Sequence, residues 1–302
     1  MIVESQGLCK NYGRIDAIRN VNLRVPEGSV FALIGPNGAG KSTTIRLLMN
    51  ILKPDRGDIR VLGAPSTALG PPQLQQIGYV SESQRIPERL SVAQYLDYLR
   101  SLYPRWDRAL ERELLEQFDL PLARKLKHLS HGMRMKALLI GALAYRPKLL
   151  VLDEPLSGLD PLVRDEVVNG LLHQAQDTTI VISSHELSEI ENFTTHVAFM
   201  QGGQVLLQEG IEALQERFRS VLVRLSAVKA LPSPLPSSWL LPQVAGHQLQ
   251  FISSAFNGEQ QLYESLVSHF GAVTLHVERM SLREIASALM QDHKRSRSPQ
   301  SH

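Results

Sequence analysis

Gly35-Pro36-Asn37-Gly38-Ala39-Gly40-Lys41-Ser42-Thr43 matches the pattern G-x-x-x-x-G-K-[ST] at every fixed position. Glycines at this spacing let backbone N–H groups converge on phosphate oxygens. A helix opening at the lysine turns its positive end toward the same anion. Lys41 is expected to reach β- and γ-phosphates, and the Ser42 hydroxyl to ligate Mg²⁺. A second group lies far along the chain, in Leu149-Leu150-Val151-Leu152-Asp153-Glu154-Pro155. An apolar strand ending in two acids presents both carboxylates at the edge of a sheet, where a cation must balance them. Asp153 is placed for the Mg²⁺ shell. Glu154, leaving at another angle, is placed to polarise a water for in-line attack on a γ-phosphate.

For these groups to meet, strands must deliver them to one edge. Val30–Ile34 is a β-rich run that stops at the glycine loop, and Lys41–Asn50 reads as the helix after it. Ile77–Val80, Leu149–Leu152 and Thr179–Ile182 read as further buried strands, so the first two thirds of the chain form an α/β domain. Between Ser91 and Leu120 the pattern is helical, with Val92, Tyr95, Leu96 and Leu99 spaced for one face. Ala137–Tyr145 reads as a buried helix. A hairpin around Gly202-Gly203 joins Val197–Met200 to Val205–Leu207.

Composition shifts near Ser220. Pro232, Pro234, Pro236 and Pro242 exclude a regular helix from Leu231 to Pro242. Around them lie strand-like Val221–Leu225 and Gln248–Ile252, helix-like Glu259–Phe270, strand-like Val273–Val277 and helix-like Leu282–Met290. The expectation is a small α+β domain over 219–292, then a disordered basic tail over 293–302. His247 and His276, the lone candidates there, read as surface or structural histidines.

Net charge is +2, which argues neither for nor against nucleic acid. The single cysteine, Cys9, excludes an internal disulfide framework and fits a reducing compartment. No stretch approaches the ~18–20 apolar residues of a membrane span, and Met1–Ser5 lacks the basic start and apolar core of a secretion signal. Any transport pathway is therefore expected in another polypeptide.

On these residues the chain resembles the ABC (ATP-binding cassette) ATPases over residues 1–218. Leu129-Ser130-His131-Gly132-Met133-Arg134 stands where that family usually has Leu-Ser-Gly-Gly-Gln. A serine hydroxyl and N–H groups at a helix start suit a phosphate. The resemblance implies that Ser130 and Gly132 contact the nucleotide of the opposite subunit, joined by Asp160 of Ser157-Gly158-Leu159-Asp160. It implies that His185 contacts the γ-phosphate and helps hold the attacking water, and that Tyr12 stacks on adenine. It also implies the fold, a P-loop ABC ATPase domain with an antiparallel β-subdomain and a helical subdomain over about 85–145. Its Q-loop glutamine position, three residues after Tyr79, is Glu82 here, with Gln84 two residues later. Either residue can approach Mg²⁺, and the register favours Glu82. In the Leu-Ser-x-Gly stretch His131 replaces a glycine and Met133 a glutamine.

The function implied is an ATPase that binds ATP and Mg²⁺ and energises a separate integral membrane permease. Two copies, or this chain and a paralogue, would sandwich two ATPs. Such a subunit lies in the cytoplasm, peripheral on the inner face of the plasma membrane. His131 with Met133, and the C-terminal unit ending in Met280–Ile285, resemble exporters of the drug and polysaccharide efflux type. The alternative is a non-transport ABC ATPase of DNA repair, chromosome maintenance or translation. Against it stand fewer than 50 residues between Glu82 and Ser130, too few for a coiled-coil arm, the lack of metal-spaced cysteines, and a single P-loop. No nucleic-acid partner is expected.

Overall fold

A computed structural model describes residues 1–174, 177–227, 229–271 and 273–297. In chain order its principal elements begin with β1 (Val3–Tyr12), β2 (Ile15–Val25), β3 (Val30–Ile34), α1 (Lys41–Leu48), β4 (Arg56–Val61) and β5 (Ala64–Pro65). Then come α2 (Pro71–Leu74), β6 (Ile77–Ser81), α3 (Val92–Leu102), α4 (Arg108–Phe118), α5 (His131–Leu143), β7 (Leu149–Asp153), α6 (Pro161–Gln174) and β8 (Thr179–Ser184). The hairpin strands β9 (His196–Gln201) and β10 (Gln204–Gly210) precede α7 (Ile211–Arg217), β11 (Arg219–Leu225), β12 (Trp239–Ala245) and β13 (Gln248–Ser253). Last are α8 (Glu259–Phe270), β14 (Val273–Arg279) and α9 (Leu282–Arg297). The chain divides into two compact units, Met1–Gln208 and Glu209–His302.

The first unit is built on a six-stranded sheet of order β10-β9-β3-β8-β7-β6. The strands β3, β7 and β8 are buried at every position, which is why they read as unbroken apolar runs. Parallel pairing puts Ile34 beside Ser184, Ser183 beside Asp153, and Asp153 beside Ser81. Four strands thus end on one edge, and the loops after them carry the sequence motifs. The antiparallel sheet β2-β1-β4-β5 shares a core with this sheet, in which Val3, Leu23, Val25 and Val61 join Phe31, Leu33, Ile45, Val151 and Val181.

Helices α3 to α6 also belong to the first unit. Ser91 caps α3 through a reciprocal box: the Gln94 N–H donates to Ser91 Oγ at 3.2 Å, and the Ser91 N–H to Gln94 Oε1 at 2.9 Å. Val92, Tyr95 and Leu96 are buried and Leu99 half-buried, as the spacing requires. Helix α5 is buried on nearly all sides from Met135 to Leu143, and its start lies hard against α6. A Cβ at Gly132 would stand 2.6 Å from Val163 Cγ1, closer than packed atoms allow, so the approach of the two helices depends on the glycine.

The second unit is a four-stranded sheet, β12-β13-β11-β14, with α7, α8 and α9. Val221, Val223, Leu225, Leu249, Phe251, Leu266 and Phe270 make its core, and Trp239 stacks on Phe251 with centroids 4.0 Å apart. Strand β12, which the prolines hide from sequence reading, runs through Pro242. It is an edge strand with a register shift between Leu240 and Gln243, the setting in which a missing N–H is tolerated.

Two expectations change. The division falls after Gln208 rather than Phe218, because α7 belongs to the second unit: it packs on α9, and the Arg217 guanidinium holds Glu209 and the Ser254 carbonyl. The tail does not become disordered at His293. Helix α9 runs on to Arg297, and Asp292 Oδ1 accepts the Leu241 N–H at 3.4 Å, fixing the helix beyond Met290. Residues 298–302 of that expected tail lie outside the described residues.

Phe251 is 1% exposed. Phe251→Ala is expected to cost the second unit about 3–5 kcal/mol and to shift the Trp239 fluorescence to the red as the stack opens. Nucleotide binding by the first unit should persist. Unchanged tryptophan emission and an unchanged unfolding midpoint would show that this stack does not hold the unit together.

Candidate nucleotide site

At the end of β3 the loop Gly35–Gly40 turns into α1. Gly40 takes φ +107°, and a Cβ there would meet Ile18 Cδ1 at 2.7 Å and the Ala17 carbonyl at 2.9 Å. Only glycine combines that backbone with that approach. It also offers α1 no side-chain cap, so the helix start is left for an external acceptor. Pro36, Asn37 and Gly38 are exposed at the loop tip, while Ala39 is buried, and Ser42 and Thr43 lie half-buried in the first helical turn. Because Ala17 and Ile18 crowd Gly40, the β1–β2 hairpin abuts the phosphate loop. Tyr12, the last residue of β1, is 45% exposed and thus open to a planar ligand.

Lys41 is 5% exposed. Its ammonium donates to the Gly35 carbonyl at 2.7 Å and the Pro36 carbonyl at 3.4 Å, and pairs with Glu154 Oε1 at 3.0 Å. A buried ammonium needs such partners. Glu154 follows β7 at φ +53°, a left-handed conformation that costs a non-glycine residue about 1–2 kcal/mol. In this turn its carboxylate has none of Asp153's side-chain hydroxyl partners, and its N–H goes to Ser183 Oγ at 2.9 Å. The other carboxylate oxygen, Oε2, lies 2.9 Å from His185 Nδ1.

Asp153 Oδ1 accepts from Ser42 Oγ at 2.8 Å and from Ser183 Oγ at 2.9 Å. Hard oxygens of this kind suit Mg²⁺. Among the described residues no group of three or more His, Cys, Asp or Glu could hold an ion. The protein's share would be the Ser42–Asp153 pair, with phosphate oxygens and water supplying the rest. Glu82 reaches this corner through its backbone, its N–H donating to the Asp153 carbonyl at 3.2 Å, while its side chain is exposed. Gln84 turns back instead, its Oε1 accepting the Ser81 N–H at 3.3 Å.

Ser130 caps α5, its Oγ accepting the Met133 N–H at 3.2 Å. Asp160 caps α6, its Oδ1 accepting the Val163 N–H at 3.1 Å. With Gly132 packed on Val163, these three residues form one patch at two adjoining helix starts.

Sequence reasoning passed over two side chains here, Ser183 and Glu189, and gave no contact to His131. Ser183 ties Asp153 to Glu154. Glu189, 8% exposed, accepts from Ser184 Oγ at 2.8 Å beside Arg164. His131 Nε2 lies 3.1 Å from the Ser157 carbonyl. Ser183 was discoverable as a polar residue ending an apolar strand; the other two pairings depend on tertiary packing. In the second unit His247 meets the Leu225 carbonyl at 3.2 Å and the exposed His276 meets Glu278 at 2.9 Å.

The Glu154 hydrogen bond, then the negative charges of Glu154, Glu189 and Glu186, raise the His185 pKa above its ordinary 6.5, against a smaller opposing effect of burial. For a raised histidine, the stabilisation is complete below the unfolded value near 6.5 and is lost as pH climbs through the folded value. His185 in the nucleotide-free chain is therefore expected to titrate above 6.5 by NMR and to move back toward it in Glu154→Gln. A midpoint unmoved by that substitution would exclude Glu154 as the cause.

The family model for ABC transporters matches residues 18–157, which include the phosphate loop, Ser130, Gly132, Asp153 and Glu154. The daunorubicin/doxorubicin resistance ATP-binding protein DrrA of Streptomyces peucetius is 35% identical over 231 residues, covering 74% of this chain and 69% of that one. The lantibiotic transport ATP-binding protein SrtF of Streptococcus pyogenes is 32% identical over 236 residues, covering 74% and 98%. A solved ATP-binding subunit of an ABC transporter superposes with a TM-score of 0.65 at 27% identity, over 72% of this chain and 92% of that one. Motif order, fold and similarity agree: the chain belongs to the ABC transporter ATP-binding proteins.

Proposed function

We propose that this chain hydrolyses ATP and uses pairing of two cassettes around the nucleotide to drive a separate membrane permease in export. The observation that carries the reading is Glu154, held in a left-handed turn with Lys41 on one carboxylate oxygen and His185 on the other. Its strained placement at the end of β7 suits a base whose partners differ from those of Asp153.

An arriving triphosphate competes for Lys41, whose ammonium now rests on Gly35, Pro36 and Glu154. Transfer of that ammonium to phosphate oxygens frees Glu154 Oε1 to accept a proton from water. His185, bonded to the same carboxylate, is placed to donate toward the γ-phosphate and to orient the attacking water. Ser42 and Asp153 would hold Mg²⁺, which when bound would supply positive charge to the phosphates. Tyr12 stacks on the adenine and Glu82 stands at the Q-loop position. Ser130, Gly132 and Asp160 contact the nucleotide of a second cassette, either another copy or a paralogue.

Export is supported by two relatives whose names connect them with drug resistance and lantibiotic transport. No helix of the described residues is long and apolar enough to cross a membrane, which suits a subunit working with a permease at the cytoplasmic face.

Glu154→Gln keeps the side-chain shape but cannot take the proton. Phosphate release should fall at least about 10²-fold while ATP binding persists and the ATP-bound pair becomes longer-lived. A near-normal steady-state rate would refute the assigned base. For shared sites, Lys41→Ala and Ser130→Arg should each be inactive alone, while their mixture regains activity through one intact composite site. Failure to regain it at every mixing ratio would count against pairing of identical copies.

A further inference from the structure

His131 stands where the family's usual motif has a glycine, and the nucleotide chemistry above gives it no task. It is the first residue of α5, directly after the Ser130 cap, and its Nε2 lies 3.1 Å from the Ser157 carbonyl oxygen. A carbonyl only accepts, so the ring nitrogen must carry the proton and donate. The accepting peptide is the one joining Ser157 to Gly158. Gly158 sits at φ +67°, and a Cβ there would touch nothing within 4 Å. Gly158 itself is exposed between buried Leu156 and Leu159, so a donor on the preceding carbonyl adds to the Leu159 N–H bond to the Leu156 carbonyl, 3.3 Å, in fixing the peptide plane that leads to Asp160.

The start of α5 also meets α6, at Gly132 and Val163. The His131 hydrogen bond thus joins the start of α5 to the turn before α6, a van der Waals contact joins it to the first turn of α6, and each helix start carries one candidate partner-facing cap, Ser130 or Asp160. We propose that His131 is a positioning residue: it ties the Ser157–Asp160 turn to the start of α5, so that Ser130 and Asp160 are presented to a second cassette as one preformed surface. This rests on the proposed pairing of cassettes. A glycine at this position has no side chain to make the tie, so the preorganisation is a property of this chain's variant motif.

The test uses the full-length Glu154→Gln chain as reference, with His131→Ala and His131→Gln added to it. Hydrogen exchange across residues 156–161 is followed without nucleotide, pairing with ATP and Mg²⁺ by sedimentation, and monomer affinity with a fluorescent ATP analogue. His131→Ala should accelerate exchange in that turn and weaken pairing, each by roughly three- to tenfold, the effect of one hydrogen bond. Monomer affinity should not change. His131→Gln, whose amide can still donate, should recover most of both losses, which loss of packing alone would not predict.

Unchanged exchange in His131→Ala, or a glutamine variant no better than alanine, overturns the tie. A reference chain that pairs with ATP while His131→Ala pairs equally well overturns the positioning role and leaves the proposed function standing. A reference chain that stays monomeric with ATP overturns the assembly and the role together.

Discussion

Asp153 and Glu154 are consecutive carboxylates at the end of a buried strand, and neither can be left there without compensation. Asp153 takes two hydroxyls, from Ser42 and Ser183, and Glu154 takes Lys41 and His185. Most of these donors are groups that a triphosphate and its metal would claim. In the proposed mechanism, binding nucleotide and releasing the base are then one event, because Lys41 cannot serve Glu154 and the phosphates equally well. The nucleotide-free arrangement keeps the acids satisfied and the base occupied until a substrate replaces its cationic partner.

That convergence depends on strand order more than on proximity in sequence. The loop after β3, the acids after β7 and the histidine after β8 meet because parallel neighbours end on the same edge. Ser183 couples two of the strands directly, receiving the Glu154 N–H and donating to Asp153. A slip of one residue between β7 and β8 would turn Ser183 to the other face of the sheet and remove both bonds. The continuous apolar character of these strands therefore protects the register of the site as well as the core.

Buried strands, the phosphate loop and the acid pair were legible because each writes a local pattern: β3 and α8 have the limits that their residues suggest. Strands β1 and β2 were expected only through the family resemblance. They are half exposed, interrupted by register shifts, and carry no run long enough to stand out. Strand β12 was hidden by prolines that an edge position tolerates. The extension of α9 was hidden by a basic, polar sequence whose order depends on a backbone contact from Leu241. The His131–Ser157 contact links residues on separate elements, and neither residue type announces it.

The use of Ser130 as a cap bears on how one hydroxyl can serve two purposes. A serine oxygen has two acceptor lone pairs and one proton. Capping α5 takes an acceptor position, since the Met133 N–H donates to it, and leaves the proton free for a phosphate oxygen. The cap meanwhile fixes the rotamer, so a second cassette would meet a hydroxyl already oriented and would lose less side-chain freedom on pairing. Asp160 differs in kind. As a carboxylate it brings acceptors and negative charge and repels phosphate unless water or a backbone group intervenes. The two caps are therefore suited to separate work in the proposed interface, Ser130 donating to the nucleotide directly and Asp160 contacting it through an intervening water or backbone donor.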